Sequence, residues 1–111
     1  MRKIEEIVQI FKVLGDEHRL RILLMLKKRP MYVCRIQEVL DIALSTVSQQ
    51  LKLMSISGYI LKTREGRWIA YRINDENELL MKLLDIVEKG LERSAVIRRD
   101  EMKARECSSK C

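Results

Sequence analysis

Apolar residues recur every three or four positions through most of the chain, which is the spacing of helices that bury one face. The first such stretch covers residues 3–14 and predicts a helix that ends at Gly15. Asp16 is placed to cap a second helix, which Pro30 stops. The apolar positions of these two helices are Ile4, Ile7, Ile10, Phe11, Leu14, Leu20, Leu23, Leu24 and Leu26. We therefore expect the chain to begin with two amphipathic helices.

Two further helices are predicted between Pro30 and Gly58. A short helix covers residues 33–40, and after the turn "DIAL" a fourth helix is expected to have Ser45 as its N-cap and to end at Gly58. The positions expected to face the core are Val33, Ile36, Val39, Leu40, Val47, Leu51, Met54 and Ile56. A short helix, a tight turn and a helix with a polar outer face form a helix-turn-helix.

The apolar period changes after Gly58, where β-branched and aromatic residues lie on both sides of "REGR". This pattern predicts a β-hairpin with Glu65 and Gly66 near its turn. A basic hairpin directly after a helix-turn-helix indicates the winged form of that motif. Trp68 and Tyr71 are interpreted as sheet residues that pack on the domain rather than as platforms for single-stranded bases, because strand alternation turns at least one of them inward.

A last long helix is predicted after the hairpin, capped by Asn74 or Asp75 and continuing to Ile97. A long helix on so small a domain commonly packs against the same helix of a second subunit. Residues 98–111 are polar and are expected to form a mobile tail. The prediction is therefore a mainly α winged helix-turn-helix domain over residues 1–97, with a β-hairpin and the element order α-α-α-α-β-β-α, followed by the tail.

The composition fits one globular domain with an anionic partner. Hydrophobic residues make up 47% and charged residues 34% of the 111 residues, which is the balance of a folded chain. The net charge of +6 favours nucleic acid, ahead of membrane lipid, as the partner. We expect a cytoplasmic location and reduced thiols, because no signal peptide or transmembrane stretch is evident. No Ser-His-Asp, paired-carboxylate or Gly-rich phosphate arrangement stands out, which argues against an enzyme.

The outer face of the fourth helix carries hydroxyls, amides and one cation, without any carboxylate. Amides can bond the edge of adenine in the major groove, and hydroxyls serve bases or phosphates. Between residues 44 and 73 there are five cations and one acid, so positive charge is concentrated here. A solvated basic hairpin would explain the charges but not the acid-free helix. The residues predicted to bind double-stranded DNA are Ser45, Thr46, Ser48, Gln49, Gln50, Lys52, Lys62, Arg64 and Arg67.

Two stretches, "FKVLGDEHRLRILLML" and "YVCRIQEVLDIALSTVSQQLKLMSISGYI", followed by the basic hairpin, resemble the ArsR/SmtB family of metal-sensing repressors over roughly residues 5–96. The resemblance implies a winged-helix homodimer joined mainly by its first and last helices. It also implies a form that binds an operator and an inducer that releases it. Two recognition helices would then meet successive major grooves, about 34 Å apart, on a near-palindromic site.

The usual inducer sites of that family are incomplete in this chain. The family's zinc site resembles Asp-x-His followed by His-x-x-Glu, but the last helix has Asp85 and Glu88 without a histidine, and His18 lies far upstream. We interpret Asp85 and Glu88 as a solvated face. The family's metalloid site resembles Cys-Val-Cys-Asp-Leu-Cys, and only Cys34 matches it in "YVCRIQ".

Three thiols remain as a candidate sensor, namely Cys34, Cys107 and Cys111. Three is the number that a trigonal-pyramidal arsenite or antimonite complex needs, and soft thiolates also select Cd(II), Pb(II) or Cu(I). An alternative is a redox or persulfide sensor in which Cys107 and Cys111 form a reversible disulfide. A further alternative is a DNA-binding protein without a sensor, in which Cys34 is a small apolar core residue and the other two are idle.

Overall fold

The computed structural model describes residues 3–106, and within them the chain forms six helices and three short strands. Their bounds are α1 (Ile4–Leu14), α2 (Glu17–Lys28), β1 (Met31–Tyr32), α3 (Val33–Leu40), α4 (Leu44–Ile56), β2 (Ile60–Glu65), β3 (Trp68–Ile73), α5 (Glu78–Gly90) and α6 (Ala95–Glu106). None of the described helices is both long and apolar enough to cross a membrane.

The first two helices are bounded as the sequence predicts. Gly15 is the C-cap of α1, and its N–H donates to the carbonyl of Phe11. The carboxylate of Asp16 accepts a hydrogen bond of 3.0 Å from the backbone N–H of Arg19, which confirms it as the N-cap of α2. The apolar stripe of α1 is divided, since Ile10 is buried whereas Phe11 is 57% exposed. Only part of α1 therefore faces the core of this chain.

The helix-turn-helix is formed by α3 and α4, and the N-cap of α4 lies two residues earlier than predicted. The N-cap of α4 is Ala43, whose carbonyl accepts from the N–H of Thr46 at 3.0 Å. The prediction that Ser45 caps this helix is wrong, because Ser45 already lies in the first turn and is exposed. Ile56 is also not a core residue: it is 76% exposed. At 100° per residue it lies on the side opposite Met54, which is fully buried.

The hairpin is present, and it belongs to a three-stranded antiparallel sheet of order β1-β3-β2. Glu65 pairs with Trp68 across the turn, and Gly66 has a φ of 63° that suits glycine. The pairing of Met31 and Tyr32 with β3 was not predicted, because two residues are too short for a readable alternation. This small strand anchors the hairpin to the beginning of α3.

The predicted single last helix is in fact two helices. Asn77, rather than Asn74 or Asp75, caps α5, since its side chain accepts from the N–H of Leu80 at 3.1 Å. Helix α5 ends at Gly90, a poor helix former, and α6 begins after Ser94. The hydroxyl of Ser94 accepts from the N–H of Ile97 at 3.3 Å.

The predicted domain boundary at residue 97 is also wrong. Residues 98–106 are helical, and α6 buries Asp100 and Ala104 against the rest of the chain. Because α6 packs on both α2 and α3, this segment is part of the domain and not a tail. Only residues 107–111 of the expected tail lie outside the described residues.

The core is centred on α2, in which every residue from 21 to 26 is buried. Its partners come from all the other helices and from the sheet. The largest fully buried side chains are Ile22, Leu23, Leu26, Ile36, Leu51, Met54, Ile60, Leu80 and Leu84. Helix α4 contributes one stripe to this core and turns its remaining side chains outward, so the rotation of α4 is set by packing.

Candidate nucleic-acid interface and thiol site

The outer face of α4 and the hairpin form one exposed basic surface. Val47, Leu51 and Met54 point into the core, so the residues between them face outward. Ser48 of α4 and Arg67 of the hairpin line the same cavity, which shows that the two parts adjoin. We call this surface the reading face, and its exposed members are Ser45, Ser48, Gln49, Lys52, Lys62, Arg64 and Arg67.

The cations of the reading face make no ion pair with any carboxylate in residues 3–106. Two arginines are oriented by local contacts instead. Arg64 donates from Nε to the carbonyl of Gly66 at 3.0 Å, and the guanidinium of Arg67 lies 5.3 Å from the centre of the Trp68 ring. A cation without a carboxylate partner remains available to a phosphate.

The one acid of the hairpin is engaged by a side chain of its own sheet. The hydroxyl of Tyr32 donates to Glu65 at 3.0 Å. The centres of the Tyr32 and Trp68 rings lie 6.2 Å apart. Desolvation, together with the hydrogen bond to Glu65, raises the pKa of Tyr32. Trp68 is half-buried and Tyr71 is buried, so packing on the domain is confirmed as their role in the structure.

Two residues predicted to bind DNA are less available than the others. Thr46 is half-buried in the first turn of α4. Gln50 is also half-buried, and its side-chain oxygen accepts a hydrogen bond of 2.9 Å from Nη1 of Arg19. Sequence reasoning did not assign Arg19 a role, because its partner Gln50 is 31 residues away in the chain and no local pattern marks the contact.

Cys34 lies in the first turn of α3 and is half-buried. It lines a cavity of about 400 Å³ between α3, α4 and the hairpin, together with Ser48, Trp68 and Tyr71. Its sulfur is disulfide-bonded in the structure. Cys107 and Cys111 lie outside the described residues, and residues 3–106 hold no cluster of three or more His, Cys, Asp or Glu side chains that could bind a metal ion.

Asp85 and Glu88 form ion pairs, which corrects their interpretation as a merely solvated face. Nζ of Lys27 lies 2.8 Å from Asp85 and 3.0 Å from Glu88. The hydrogen bond to Asp85, reinforced by Glu88 and opposed by burial, raises the pKa of Lys27. These carboxylates therefore tie α5 to α2, and His18 is half-buried at the start of α2, on a different helix.

A second, more deeply buried pair joins α2 to α6. The guanidinium of Arg21 donates two hydrogen bonds, of 2.8 and 2.9 Å, to the carboxylate of Asp100. The two residues are 8% and 2% exposed. Arg29, the C-cap of α2, pairs with Glu101 of α6. We call these contacts of Arg21, Lys27 and Arg29 with α5 and α6 the clamp.

Comparisons with known proteins agree with this architecture. A family model described as "Bacterial regulatory protein, arsR family" matches residues 16–62. The arsenical resistance operon repressor of Escherichia coli (strain K12) is 37% identical over 68 residues, which are 60% of this chain and 58% of that protein. An uncharacterized HTH-type transcriptional regulator of Methanocaldococcus jannaschii is 36% identical over 87 residues, which are 77% of this chain and 98% of that protein.

A more distant relative and a solved structure extend the comparison. A cadmium resistance transcriptional regulatory protein of Listeria innocua is 28% identical over 82 residues, or 73% of this chain and 65% of that protein. The AntR antimony-specific transcriptional repressor superposes with a TM-score of 0.71 at 27% identity, covering 82% of this chain and 81% of that one.

The fold and the exposed basic face define a winged helix-turn-helix protein of the DNA-binding class. The chain belongs to the arsR family of bacterial regulatory proteins. It is accordingly a DNA-binding transcriptional regulator and not an enzyme.

Proposed function

We propose that this protein is a repressor that binds operator DNA as a homodimer and is released by a thiophilic ion, arsenite or antimonite first among them. The observation that carries the proposal is the packing of α6 against α3, with Ala104 only 1% exposed. Cys34 lies in the first turn of α3, and Cys107 follows the last residue of α6 in the sequence. The arsenical and antimony relatives support the same class of inducer.

In the reduced protein, binding of the ion requires only thiols. Arsenous acid exchanges its three hydroxyl groups for the sulfurs of Cys34, Cys107 and Cys111, and each exchange releases one water without any oxidant. The exchange starts from the reduced protein, because the disulfide at Cys34 must first be cleaved by a thiol or phosphine reductant that supplies two electrons. Soft ions such as Cd(II), Pb(II) or Cu(I) would compete for the same sulfurs. The cadmium relative supports including Cd(II) in that list.

Release would follow from strain on α3. The turn between α3 and α4 is closed by a hydrogen bond of 3.1 Å from Nε2 of Gln37 to the carbonyl of Ile42. A ligand that pulls Cys34 towards the C-terminal thiols therefore shifts α4 as well. A coupling of ~1–3 kcal/mol is typical of such regulation and changes DNA affinity five- to about a hundredfold.

The apolar surface of α1 supports a dimer. Ile4, Val8 and Phe11 are 74%, 44% and 57% exposed and follow the spacing of one helix face. Ile86 on α5 is 68% exposed as well. A second copy that covers α1 and α5 would bury these side chains. It would also place the α4 helices of the two subunits about 34 Å apart.

A thiol redox or persulfide sensor is the second candidate, and the disulfide at Cys34 favours it. In this case a peroxide or persulfide supplies the oxidising equivalents, and a disulfide replaces the metalloid complex. The sequence predicts the alternative pairing of Cys107 with Cys111, which would leave Cys34 dispensable. If release requires Cys34, the Cys107–Cys111 disulfide is excluded. The metalloid complex and a disulfide that includes Cys34 both remain.

The test uses double-stranded DNA selected by the protein from a random library. Fluorescence anisotropy follows the labelled DNA while arsenite is added to protein reduced with a phosphine, because dithiol reductants bind arsenite themselves. We expect arsenite to release the wild type but not Cys34→Ser or the double variant Cys107→Ser/Cys111→Ser. If arsenite releases none of them and peroxide or persulfide does, the redox sensor replaces the metalloid sensor. If neither acts, the protein binds DNA without a thiol sensor.

A further inference from the structure

Arg19 connects three helices through one side chain. Its Nε donates to the carbonyl of Val13 at 3.0 Å, and its Nη2 donates to the carbonyl of Lys12 at 3.0 Å. Its Nη1 donates to Oε1 of Gln50 at 2.9 Å. The guanidinium of α2 thus bonds the last turn of α1 and the middle of α4 at the same time.

These three bonds suit a guanidinium and no other side chain. The last carbonyls of a helix have no partner within the helix, and a cation there also interacts favourably with the helix dipole. Arginine offers its donors in a rigid planar fork, so bonds to Lys12 and Val13 fix the direction in which Nη1 points. A lysine has a single nitrogen on a flexible stem and cannot reproduce that direction.

The bond to Gln50 adds a polar contact at the middle of α4, where the helix is otherwise held by apolar packing. Val47 and Leu51 define the buried side of α4, and packing of this kind tolerates small rotations. A polar contact beside the stripe restricts the rotation of α4 about its axis. Gln49 and Lys52 lie one residue before and two residues after Gln50, so their directions into a DNA groove depend on this restriction.

We propose that Arg19 is a positioning residue for DNA recognition, which acts through Gln50 and does not itself contact DNA. Gln50 accordingly holds α4 in place, rather than reading a base as the sequence predicts. This inference rests on the proposed DNA binding. Arg19 also links the end of α1, the helix with the exposed apolar face, to α4.

The test compares Arg19→Met, Arg19→Lys, Gln50→Met and the double variant Arg19→Met/Gln50→Met on the selected DNA. We expect Arg19→Met and Gln50→Met each to weaken specific binding about tenfold, the equivalent of one hydrogen bond to a charged group. The double variant should be no weaker than either single variant, because both remove the same contact. Arg19→Lys should behave like Arg19→Met.

The salt dependence separates positioning from a phosphate contact. In Arg19→Met the slope of log K against log salt concentration should equal that of the wild type, since no phosphate contact is lost. A slope smaller by about 1, with binding retained in Arg19→Lys, would mean that Arg19 binds a phosphate and would overturn the inference. Additive losses in the double variant would overturn it too.

Thermal unfolding is followed in parallel so that all titrations use folded protein. If Arg19→Met unfolds at a lower temperature but binds the DNA like the wild type, Arg19 only stabilises the fold and the inference is wrong. Failure of the wild type to select or bind DNA is a different result, because it would count against the proposed function itself.

Discussion

The reading face and the clamp both consist of charged side chains, but their cations have different neighbours. In the clamp, Arg21 is 8% exposed and holds a carboxylate that is 2% exposed. On the reading face, Lys52 and Lys62 are exposed, and neither is ion-paired with a carboxylate of residues 3–106. Burial and pairing therefore separate the charges that hold the fold from those available to an anionic partner.

This difference explains why the number of basic residues alone is a blunt guide to the DNA interface. The cations of the clamp are matched by carboxylates of α5 and α6, so they count among the 22 basic residues of the chain without raising its net charge and without being free for phosphate. A buried pair costs much to break, because removal of one partner leaves an uncompensated charge. An exposed cation contributes little to stability but can replace a counterion on DNA.

The largest effect is expected from Asp100→Ala, which leaves Arg21 buried without its partner. We expect the free energy of unfolding to fall by about 3–5 kcal/mol in urea denaturation. Glu17→Ala is the matched control, since Glu17 approaches the same arginine at 3.9 Å but its side chain is 80% exposed, and its loss should be below about 1 kcal/mol. Equal losses in the two variants would contradict the distinction between buried and exposed pairs.

An intermediate effect, on DNA binding rather than on stability, is expected from Lys52→Gln and Lys62→Gln. Each should reduce the slope of log K against log salt concentration by about 1 and weaken binding to all sequences alike. The free energy of unfolding should stay within about 0.5 kcal/mol of the wild type. Lys103→Gln on α6 provides an exposed cation outside the reading face, and an identical change in its salt slope would show that only total charge matters.

The smallest effect concerns the pH dependence of the Lys27 pair. Because Asp85 raises the pKa of Lys27, the folded protein holds this proton more tightly than the unfolded chain. The stabilisation is fully present below the ordinary lysine pKa of 10.5 and disappears as pH rises through the higher value of the folded protein. The variant Asp85→Asn/Glu88→Gln should be less stable than the wild type at neutral pH by about 0.5–1 kcal/mol.

That difference should disappear in alkaline urea titrations. The tyrosines titrate in both proteins, so their contribution cancels in the comparison. A constant difference between the two proteins from neutral pH to well above 10.5 would mean that the pair contributes through packing and not through the charge of Lys27.

Sequence reasoning located the reading face better than the clamp. The exposure of Ser48, Gln49 and Lys52 follows from the position of the apolar stripe, because helical geometry places them opposite it. The partner of Gln50 could not be read in this way, since Arg19 is 31 residues away in the chain. Arg21 and Asp100 are 79 residues apart, and their pairing depends on how α6 folds back.

The sequence by itself determined the winged helix-turn-helix, because its signals are local. The cap at Asp16, the turn at Gly66 and the change of apolar period each act within a few residues. Only the tertiary structure decided the inclusion of residues 98–106 in the domain. It depends on a buried pair between distant helices, and the free energy of such a contact has no counterpart in local periodicity.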